Sequence, residues 1–154
     1  MRANTVAFRR AVSGDLAAIV ALLADDPIGR ERETAGTRLD ACYAEAFAAI
    51  ERDPSQLLAV AERSLRVVGV LQLSFIPGLT RRGMLRGQIE GVRVAAGERG
   101  TGLGRALLEW AVEACRERGC GLVQLTTDKR RPAAHAFYET LGFQATHRGY
   151  KLPL

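Results

Sequence analysis

With 154 residues, of which 47% are hydrophobic and 25% charged, the chain fits one globular domain over residues 1–154 and not a disordered protein. The formal net charge of +5 favours an anionic partner, such as a phosphorylated cofactor, a nucleic acid or a membrane surface. Basic and acidic residues are interspersed, and charges interrupt every apolar segment, so neither a dedicated nucleic-acid surface nor a membrane span is expected.

The first half of the chain predicts a strand, two helices and a run of three strands. The first helix begins at Ser13 or Asp15 and ends before Pro27, and its apolar residues recur at helical spacing. The polar segment 28–38 has no clear period and is expected to be a loop, and a second helix follows over 39–52. Runs rich in valine and leucine predict the strands, which are 6–10, 56–61, 67–75 and 84–94.

The second half of the chain alternates helices and strands. A glycine-rich turn leads into an amphipathic helix over 102–118, and a compact apolar strand follows over 122–126. Pro132 opens another helix, which ends at Gly142, and the segment from Phe143 to the C-terminus is strand-like. This order of elements predicts a mixed α/β domain with helices on both faces of its sheet.

The segment 99–104 carries the main chemical signal of the sequence. Directly after a strand and at the beginning of a helix, it reads Arg99-Gly100-Thr101-Gly102-Leu103-Gly104. The first N–H groups of a helix have no intrahelical partner, the macrodipole is positive there, and glycines allow an oxyanion close to the backbone. The segment therefore predicts a site for a pyrophosphate.

Three interpretations of this segment compete. A dinucleotide-binding fingerprint requires the spacing G-x-G-x-x-G, whereas Gly100, Gly102 and Gly104 give G-x-G-x-G. A P-loop requires Gly-Lys-Ser/Thr, which the segment lacks. The third interpretation is a glycine-rich turn that only begins a helix, and other segments of the chain argue against it.

Two motifs at the right separation resemble the signatures of the GNAT superfamily of N-acetyltransferases. The first, similar to the acyl-CoA signature, is Arg99-x-x-Gly102-x-Gly104 behind the strand Val92-x-Val94. The second, on the next helix and strand, is Ala134-x-x-Phe137-Tyr138-Glu139-x-Leu141-Gly142-Phe143. Further family patterns resemble Arg9-Arg10-Ala11 with Asp15, and Val68-Gly69 after a hairpin, so the resemblance spans nearly the whole chain in order.

The resemblance implies a GNAT-like, mostly antiparallel sheet of six to seven strands, with acetyl-CoA bound where two neighbouring strands splay apart. Those strands are the one that ends at Val94 and the one at 122–126. The Val94 N–H would polarise the thioester carbonyl, and the N–H groups of 100–105 would hold the pyrophosphate. The implied coenzyme-binding residues are Val92, Arg93, Val94, Arg99, Gly100, Thr101, Gly102, Leu103, Gly104, Arg105 and Arg131.

Acetyl transfer to an amine requires two proton transfers, because the ammonium must lose a proton and the departing thiolate must gain one. The resemblance assigns the second transfer to Tyr138, and the alternative is a core tyrosine whose hydroxyl bonds a carbonyl. Glu90 is the candidate general base, because regular alternation would place its carboxylate in line with Val92 and Val94. Two alternatives stay open for Glu90: a salt bridge with an arginine, and a bulge that reverses its direction.

The remaining expectations concern other candidate groups and the surroundings of the protein. His135 and His147 are further candidate bases, because imidazole titrates near neutral pH. Arg131 stands where many family members carry Asn, and it either reaches a coenzyme phosphate or lies in solvent. Three cysteines without a CxxC spacing predict neither a disulfide framework nor a metal site. The N-terminus lacks the apolar run of a signal peptide, so a cytoplasmic location is expected.

The predicted function is therefore acetyl transfer from acetyl-CoA, by direct attack in a ternary complex, to a primary amine of a small molecule or peptide. The alternatives are a non-catalytic acyl-CoA-binding regulator and a nucleic-acid-binding module, and the aromatic content of 6% disfavours the latter. Segments 28–52 and 77–83 are expected to select the acceptor, but their mixed charges do not identify it. A homodimer is implied by family habit alone.

Overall fold

A computed structural model describes residues 5–36 and 38–154, so the first four residues and Thr37 of the predicted loop lie outside the described residues. Five strands form one sheet in the order β1-β2-β3-β4-β5, antiparallel except for the parallel pair β4 and β5. The expected six to seven strands are therefore too many for the described part of the chain. The strands are β1 (Ala7–Arg10), β2 (Gln56–Arg63), β3 (Arg66–Ile76), β4 (Arg86–Val94) and β5 (Leu122–Leu125).

The helices largely follow the sequence prediction, with two short additions, one of which lies in the expected connection 77–83. The segment expected to be a loop contains a short helix, because the Asp26 carboxylate accepts the N–H groups of Ile28 and Gly29 and Pro27 occupies the first helical position. Within the described residues, no helix is long and apolar enough to cross a membrane. The helices are α1 (Leu16–Ala24), α2 (Pro27–Arg30), α3 (Ala41–Arg52), α4 (Thr80–Gly83), α5 (Leu103–Glu117) and α6 (Pro132–Thr140).

The sheet separates two hydrophobic clusters, as the predicted helices on both faces require. Alternate residues of β2 face opposite sides, with Ala59 and Ala61 on one side and Leu58 and Val60 on the other. The first cluster packs against α5, whose buried residues are Leu103, Leu107, Leu108, Ala111 and Cys115. The second cluster packs against α1 and α3 through Ile19, Leu22 and Phe47.

A bulge interrupts β4 at Gly91. Opposite β3, Val70 pairs with Arg93 and Gln72 pairs with Glu90, so β4 has one additional residue in this interval. Gly91 accommodates the bulge with a φ of +62°, which favours glycine. Ile89 and Val92 both pack on the α5 side although they are three residues apart, and the direction of the side chains is therefore reversed at the bulge.

The C-terminal segment is not the strand that the sequence predicted. From residue 144 onward every residue is exposed, and none of residues 143–154 pairs with β5. Phe143 is half-buried against the cluster that packs on α5, whereas Tyr150 and Leu152 are exposed. The alternating apolar residues of this segment therefore do not cover the core. Gly149 and Pro153 further weaken a strand, because glycine adds no side-chain packing and proline donates no ladder hydrogen bond.

Candidate active site

β4 and β5 are paired only over their first four residues. The parallel pairing runs from Arg86 and Leu122 to Ile89 and Leu125, where β5 ends. β4 continues to Val94 and stays paired with β3 on its other side. Beyond Ile89, the edge of β4 is therefore open on the β5 side, where the resemblance implied a coenzyme cleft.

The glycine-rich loop that follows β4 presents a run of unpaired backbone donors. Gly100 and Gly102 have φ values of +78° and +89°, and a side chain added to either would point into open space. The first N–H of α5 with a backbone acceptor is that of Ala106, which donates to the Gly102 carbonyl over 3.1 Å. Within the described residues, no acceptor is found for the N–H groups of Gly100, Gly102, Leu103, Gly104 and Arg105. This arrangement fits a pyrophosphate.

Arg99 and Thr101 shape this loop instead of adding free donors to it. The Thr101 N–H and hydroxyl both donate to the Glu98 carbonyl, over 3.4 and 2.7 Å. The Arg99 guanidinium donates to the Val94 carbonyl over 3.3 Å and to the Asp25 carboxylate over 3.0 Å. The loop is thereby attached to the end of β4 and to the residue that follows α1.

The two signature motifs meet at the beginning of α5. A Cβ added to Gly104 would lie 3.5 Å from the Phe137 ring and 3.8 Å from a methyl group of Val94. The ring centroids of Phe137 and Tyr138 are 5.5 Å apart, and those of Tyr138 and Phe143 are 6.0 Å apart. Packing between α5 and α6 thus holds Tyr138 in an aromatic group beside the end of β4.

The environment of Tyr138 favours the neutral phenol. Burial raises the pKa of Tyr138 above its ordinary value, and the nearby charges of Arg93 and Arg131 oppose this effect only in part. The Tyr138 hydroxyl has no hydrogen-bond partner within the described residues, so a core tyrosine bonded to a carbonyl is not what the geometry gives. A protonated phenol near neutral pH suits a proton donor.

The expected alignment of Glu90 with Val92 and Val94 is wrong. The bulge at Gly91 leaves the two valines on the α5 side with Ile89, whereas Glu90 follows Ile89 directly and faces the opposite side of the sheet. Glu90 is exposed, and it forms no salt bridge within the described residues. Its carboxylate is therefore accessible from the side of the sheet that carries α1.

Arg93 and Arg131 share one carboxylate, that of Asp26. The Arg93 Nε lies 2.9 Å from Asp26 Oδ2, and the Arg131 Nη2 lies 2.8 Å from Asp26 Oδ1. Burial alone would raise the pKa of Asp26, but the Gly29 N–H and the two guanidinium groups outweigh it and lower that pKa. Arg131 is thus neither solvated nor aimed at the glycine-rich loop, and Arg93 extends away from the α5 side of β4.

The two histidines have local partners. His135 Nε2 donates to the Asp128 carbonyl over 2.9 Å and supports the turn before α6. His147 is exposed in the C-terminal segment, where its Nδ1 lies 2.7 Å from the Thr146 hydroxyl. Neither contact places an imidazole beside Tyr138.

Sequence reasoning missed the two acidic residues between α1 and α2. Asp25 holds Arg99 of the glycine-rich loop, and Asp26 holds Arg93 and Arg131. In the sequence, Asp25-Asp26-Pro27 indicated only the end of a helix, because the partners of the two carboxylates are distant in the chain. One shallow surface concavity lies between α5 and the end of α6, and another lies beside α1, where Asp25 and Ala95 help to line it.

Comparisons with known proteins show which chains this one is similar to. The solved structure of a transcriptional regulator from Bacillus halodurans C-125 is 47% identical, has a TM-score of 0.95, and is matched over 97% of this chain and 100% of that chain. A glucosamine 6-phosphate N-acetyltransferase of Trypanosoma brucei brucei is 42% identical over 90 residues, which are 58% of each chain. An aminoalkylphosphonate N-acetyltransferase of Salmonella typhimurium is 33% identical over 105 residues, which are 68% of each chain.

The family comparison covers most of the domain. The chain spans 58% of the length of the trypanosomal relative and 68% of that of the bacterial one. The model of the acetyltransferase (GNAT) family matches residues 16–143, which include the sheet from β2 to β5, the glycine-rich loop and Tyr138. The chain therefore belongs to the GNAT family of acetyltransferases.

Proposed function

We propose that the protein transfers an acetyl group from acetyl-CoA to a primary amine of a small molecule or peptide. The observation that carries this proposal is the run of five free N–H donors directly beyond the open edge of β4. Family membership and two relatives named as N-acetyltransferases support it. The same two names favour an enzyme over a non-catalytic acyl-CoA-binding regulator.

The open edge of β4 supplies the backbone groups for the coenzyme in this proposal. Val92 and Val94 offer their main-chain N–H groups to the pantetheine arm, because no neighbouring strand uses that edge, whereas their carbonyls already accept from the Arg93 and Arg99 guanidinium groups. The Val94 N–H acts as a donor to the thioester oxygen, where negative charge develops during attack. The N–H groups of Gly100 and residues 102–105 hold the pyrophosphate.

Two side chains handle the protons. The amine nitrogen attacks the thioester carbon in a ternary complex, a C–N bond forms, and the C–S bond breaks. Tyr138 protonates the departing sulfur, which its neutral state at ordinary pH allows. Glu90 accepts the proton of the ammonium, directly or through water, from the α1 side of β4.

A calorimetric titration of acetyl-CoA tests the pyrophosphate site. The variant is Gly100→Val, and the matched control is Gly119→Val, because both glycines have a φ of +78° with open space around an added side chain. The two substitutions should cost the same strain, about 1–3 kcal/mol, and only the first places methyl groups over the free donors. We expect binding by the unmodified protein and the control, and its loss in Gly100→Val.

The outcomes separate the candidate functions. Binding followed by thiol release with an amine would support the enzyme, whereas binding without turnover across a broad set of amines would favour the regulator. Equal loss of binding in both glycine variants would show that strain, and not blocked donors, removed the site. Failure of the unmodified protein to bind acetyl-CoA would contradict both functions.

We also propose that the protein is a homodimer. Among residues 5–36 and 38–154, β5 pairs only with β4, and the exposed residues Tyr150 and Leu152 follow it in a segment without a strand partner. A free strand edge and an extended segment with alternating apolar residues are complementary between two copies. Light scattering should give twice the mass of the chain, and removal of residues 144–154 should give a monomer.

A further inference from the structure

The end of α5 brings two of the three cysteines together. The Cys120 N–H donates to the Cys115 carbonyl over 2.9 Å, and the Gly119 N–H donates to the Arg116 carbonyl over the same distance. With a φ of +78° at Gly119, these two bonds form a Schellman motif. Cys115 and Cys120 occupy the two positions of this motif whose side chains are usually in contact.

The packing of this turn against β4 places the two thiols side by side. A Cβ on Gly87 would lie 3.3 Å from Cys115 Cβ and 3.8 Å from Cys120 Sγ, and it would collide with Cys115 Sγ. Both sulfur atoms therefore lie next to the space that Gly87 leaves by having no side chain. Burial raises the pKa of Cys115 to about 12, and the adjacent Cys120 thiol adds to this increase.

The thiols differ in their access to solvent. Cys115 is fully buried, whereas Cys120 is partly exposed. A reagent in solution therefore reaches Cys120 first, and Cys115 reacts with the group that Cys120 then carries. Cys42 is exposed on α3, which packs on the opposite face of the sheet from α5, so it offers a thiol without this neighbour.

We propose that Cys115 and Cys120 are a reversible modification site, which forms a disulfide by exchange with a low-molecular-weight disulfide. The Cys120 thiolate attacks one sulfur of the small disulfide, a mixed disulfide forms, and one small thiolate leaves. The Cys115 thiolate then attacks the Cys120 sulfur, the protein disulfide forms, and the second small thiolate leaves. The protein loses two electrons and the protons of both thiols, and the small disulfide gains them as two thiols.

The new bond would fasten the end of α5 to the chain that leads into β5. The Gly121 N–H already donates to the Leu85 carbonyl over 2.9 Å, so the folded turn is held in place before oxidation. The bond therefore mainly restricts the unfolded chain, and we expect it to raise the unfolding midpoint by about 5 °C. The free donors of the glycine-rich loop belong to the other end of α5, so the affinity for acetyl-CoA should not change.

The first test uses oxidised glutathione and the full chain at mildly alkaline pH, where more thiolate is present. Mass spectrometry should show that the unmodified protein gains one glutathionyl group, at Cys42, and that Cys42→Ser gains none and loses two hydrogen atoms. Trypsin cleaves after Arg116 and Arg118, between the paired cysteines. The two peptides that carry Cys115 and Cys120 should therefore stay joined until a reductant is added.

A second test separates the two steps in the Cys42→Ser background. Adding Cys115→Ala keeps the partly exposed thiol and removes the one that attacks it, so the mixed disulfide with glutathione should accumulate at Cys120. The matched variant carries Cys120→Ala and keeps only the buried thiol, so it should gain no glutathionyl group. Unfolding midpoints of the reduced variants check that each one is folded.

Three outcomes would overturn the proposal. Folded Cys42→Ser could keep both thiols, could hold a stable glutathionyl group at Cys120, or could form the disulfide only in denaturant. These readouts need no acetyl transfer, so failure of the proposed function would leave them intact. If Cys115→Ala does not fold, the peptide map of Cys42→Ser still decides the matter.

Discussion

The first half of β4, Arg86–Ile89, is paired on both sides, whereas the second half, residues 90–94, is paired only with β3. In the first half, Ile89 is almost fully buried and side chains alternate regularly. In the second half, the bulge at Gly91 turns Arg93 toward Asp26, and the free edge faces the cleft. Within this one strand, the half that is paired on both sides contributes to the core. The half that contains the bulge and has a free edge carries the candidate active site.

Activity should depend most strongly on Tyr138, the proposed proton donor, which lies beside the open half of β4. Tyr138→Phe removes the phenol and keeps the ring that packs on Phe137 and Phe143, so kcat should fall about 10²–10⁴-fold. Steady-state kinetics measure this loss, and the control is Tyr150→Phe in the exposed C-terminal segment. A variant with unchanged kcat would remove Tyr138 from the mechanism.

Substitutions in the half of β4 that is paired on both sides should mainly lower the stability of the protein. Ile89→Ala should lower the free energy of unfolding by about 2–5 kcal/mol, because it opens a cavity beneath α5. Val92→Ala, in the half-buried open half, should cost less. Denaturant unfolding measures both, and equal losses would erase the difference between the two halves.

The bulge itself is open to a test at Gly91. Its φ of +62° makes Gly91→Ala cost about 1–2 kcal/mol, although a Cβ there would make only an ordinary contact of 3.8 Å with Leu23. Gly83→Ala imposes a similar strain before β4 begins, where φ is +78°. We expect similar stability losses and a loss of activity in Gly91→Ala alone, because a regular strand would turn Arg93 away from Asp26. Equal activities would mean that the bulge does not position the site.

Glu90 should have a smaller effect than Tyr138, because water can relay a proton at an exposed position. Glu90→Gln should lower kcat/KM about tenfold near neutral pH, which is less than the ~10²–10⁴-fold typical of general acid–base catalysis. The effect should shrink as pH rises and more of the amine is already deprotonated. A defect that is constant with pH would indicate a role in binding.

The smallest effect is expected from pH acting on Tyr138. Burial raises the pKa of Tyr138 above its ordinary value of 10.0, so the phenol keeps its proton at all lower pH values. Any stability that this proton confers is fully present below pH 10 and is lost only as pH rises through the higher folded-state pKa. The rate should therefore show no fall attributable to Tyr138 below about pH 10. A fall near neutral pH that disappears in Tyr138→Phe would contradict this assignment.

Local patterns were enough to predict four of the helices, all five strands of the sheet and the glycine-rich loop. Helical and strand periods are properties of neighbouring residues, and the positive end of α5 follows from the chain around Gly102. The direction of Glu90 could not be predicted, because a bulge at Gly91 appears only when β4 is set against β3. The predicted C-terminal strand is wrong for another reason. Its residues alternate as in a strand, but within the described residues this segment does not pair with β5.

Asp25 and Asp26 were missed for a similar reason, because their partners are distant in the sequence. Asp26 is separated from Arg93 by 67 positions and from Arg131 by 105, and such pairs depend on the whole fold. The carboxylate that pairs with these two arginines could therefore be identified only from the structure. Family resemblance predicted where a coenzyme would bind, whereas the ion pairs of Asp25 and Asp26 emerged only from the packed structure.

Asp25 and Asp26 are consecutive residues, yet each holds a different part of the site. Asp25 binds Arg99 of the glycine-rich loop, and Asp26 binds Arg93 and Arg131. A ligand that shifted the loop would pull on the peptide that fixes these two arginines. By thermodynamic reciprocity, a ligand held by the arginines would then change the affinity of the loop for its own ligand by the same factor. One short connection after α1 thus links the glycine-rich loop to the far side of β4.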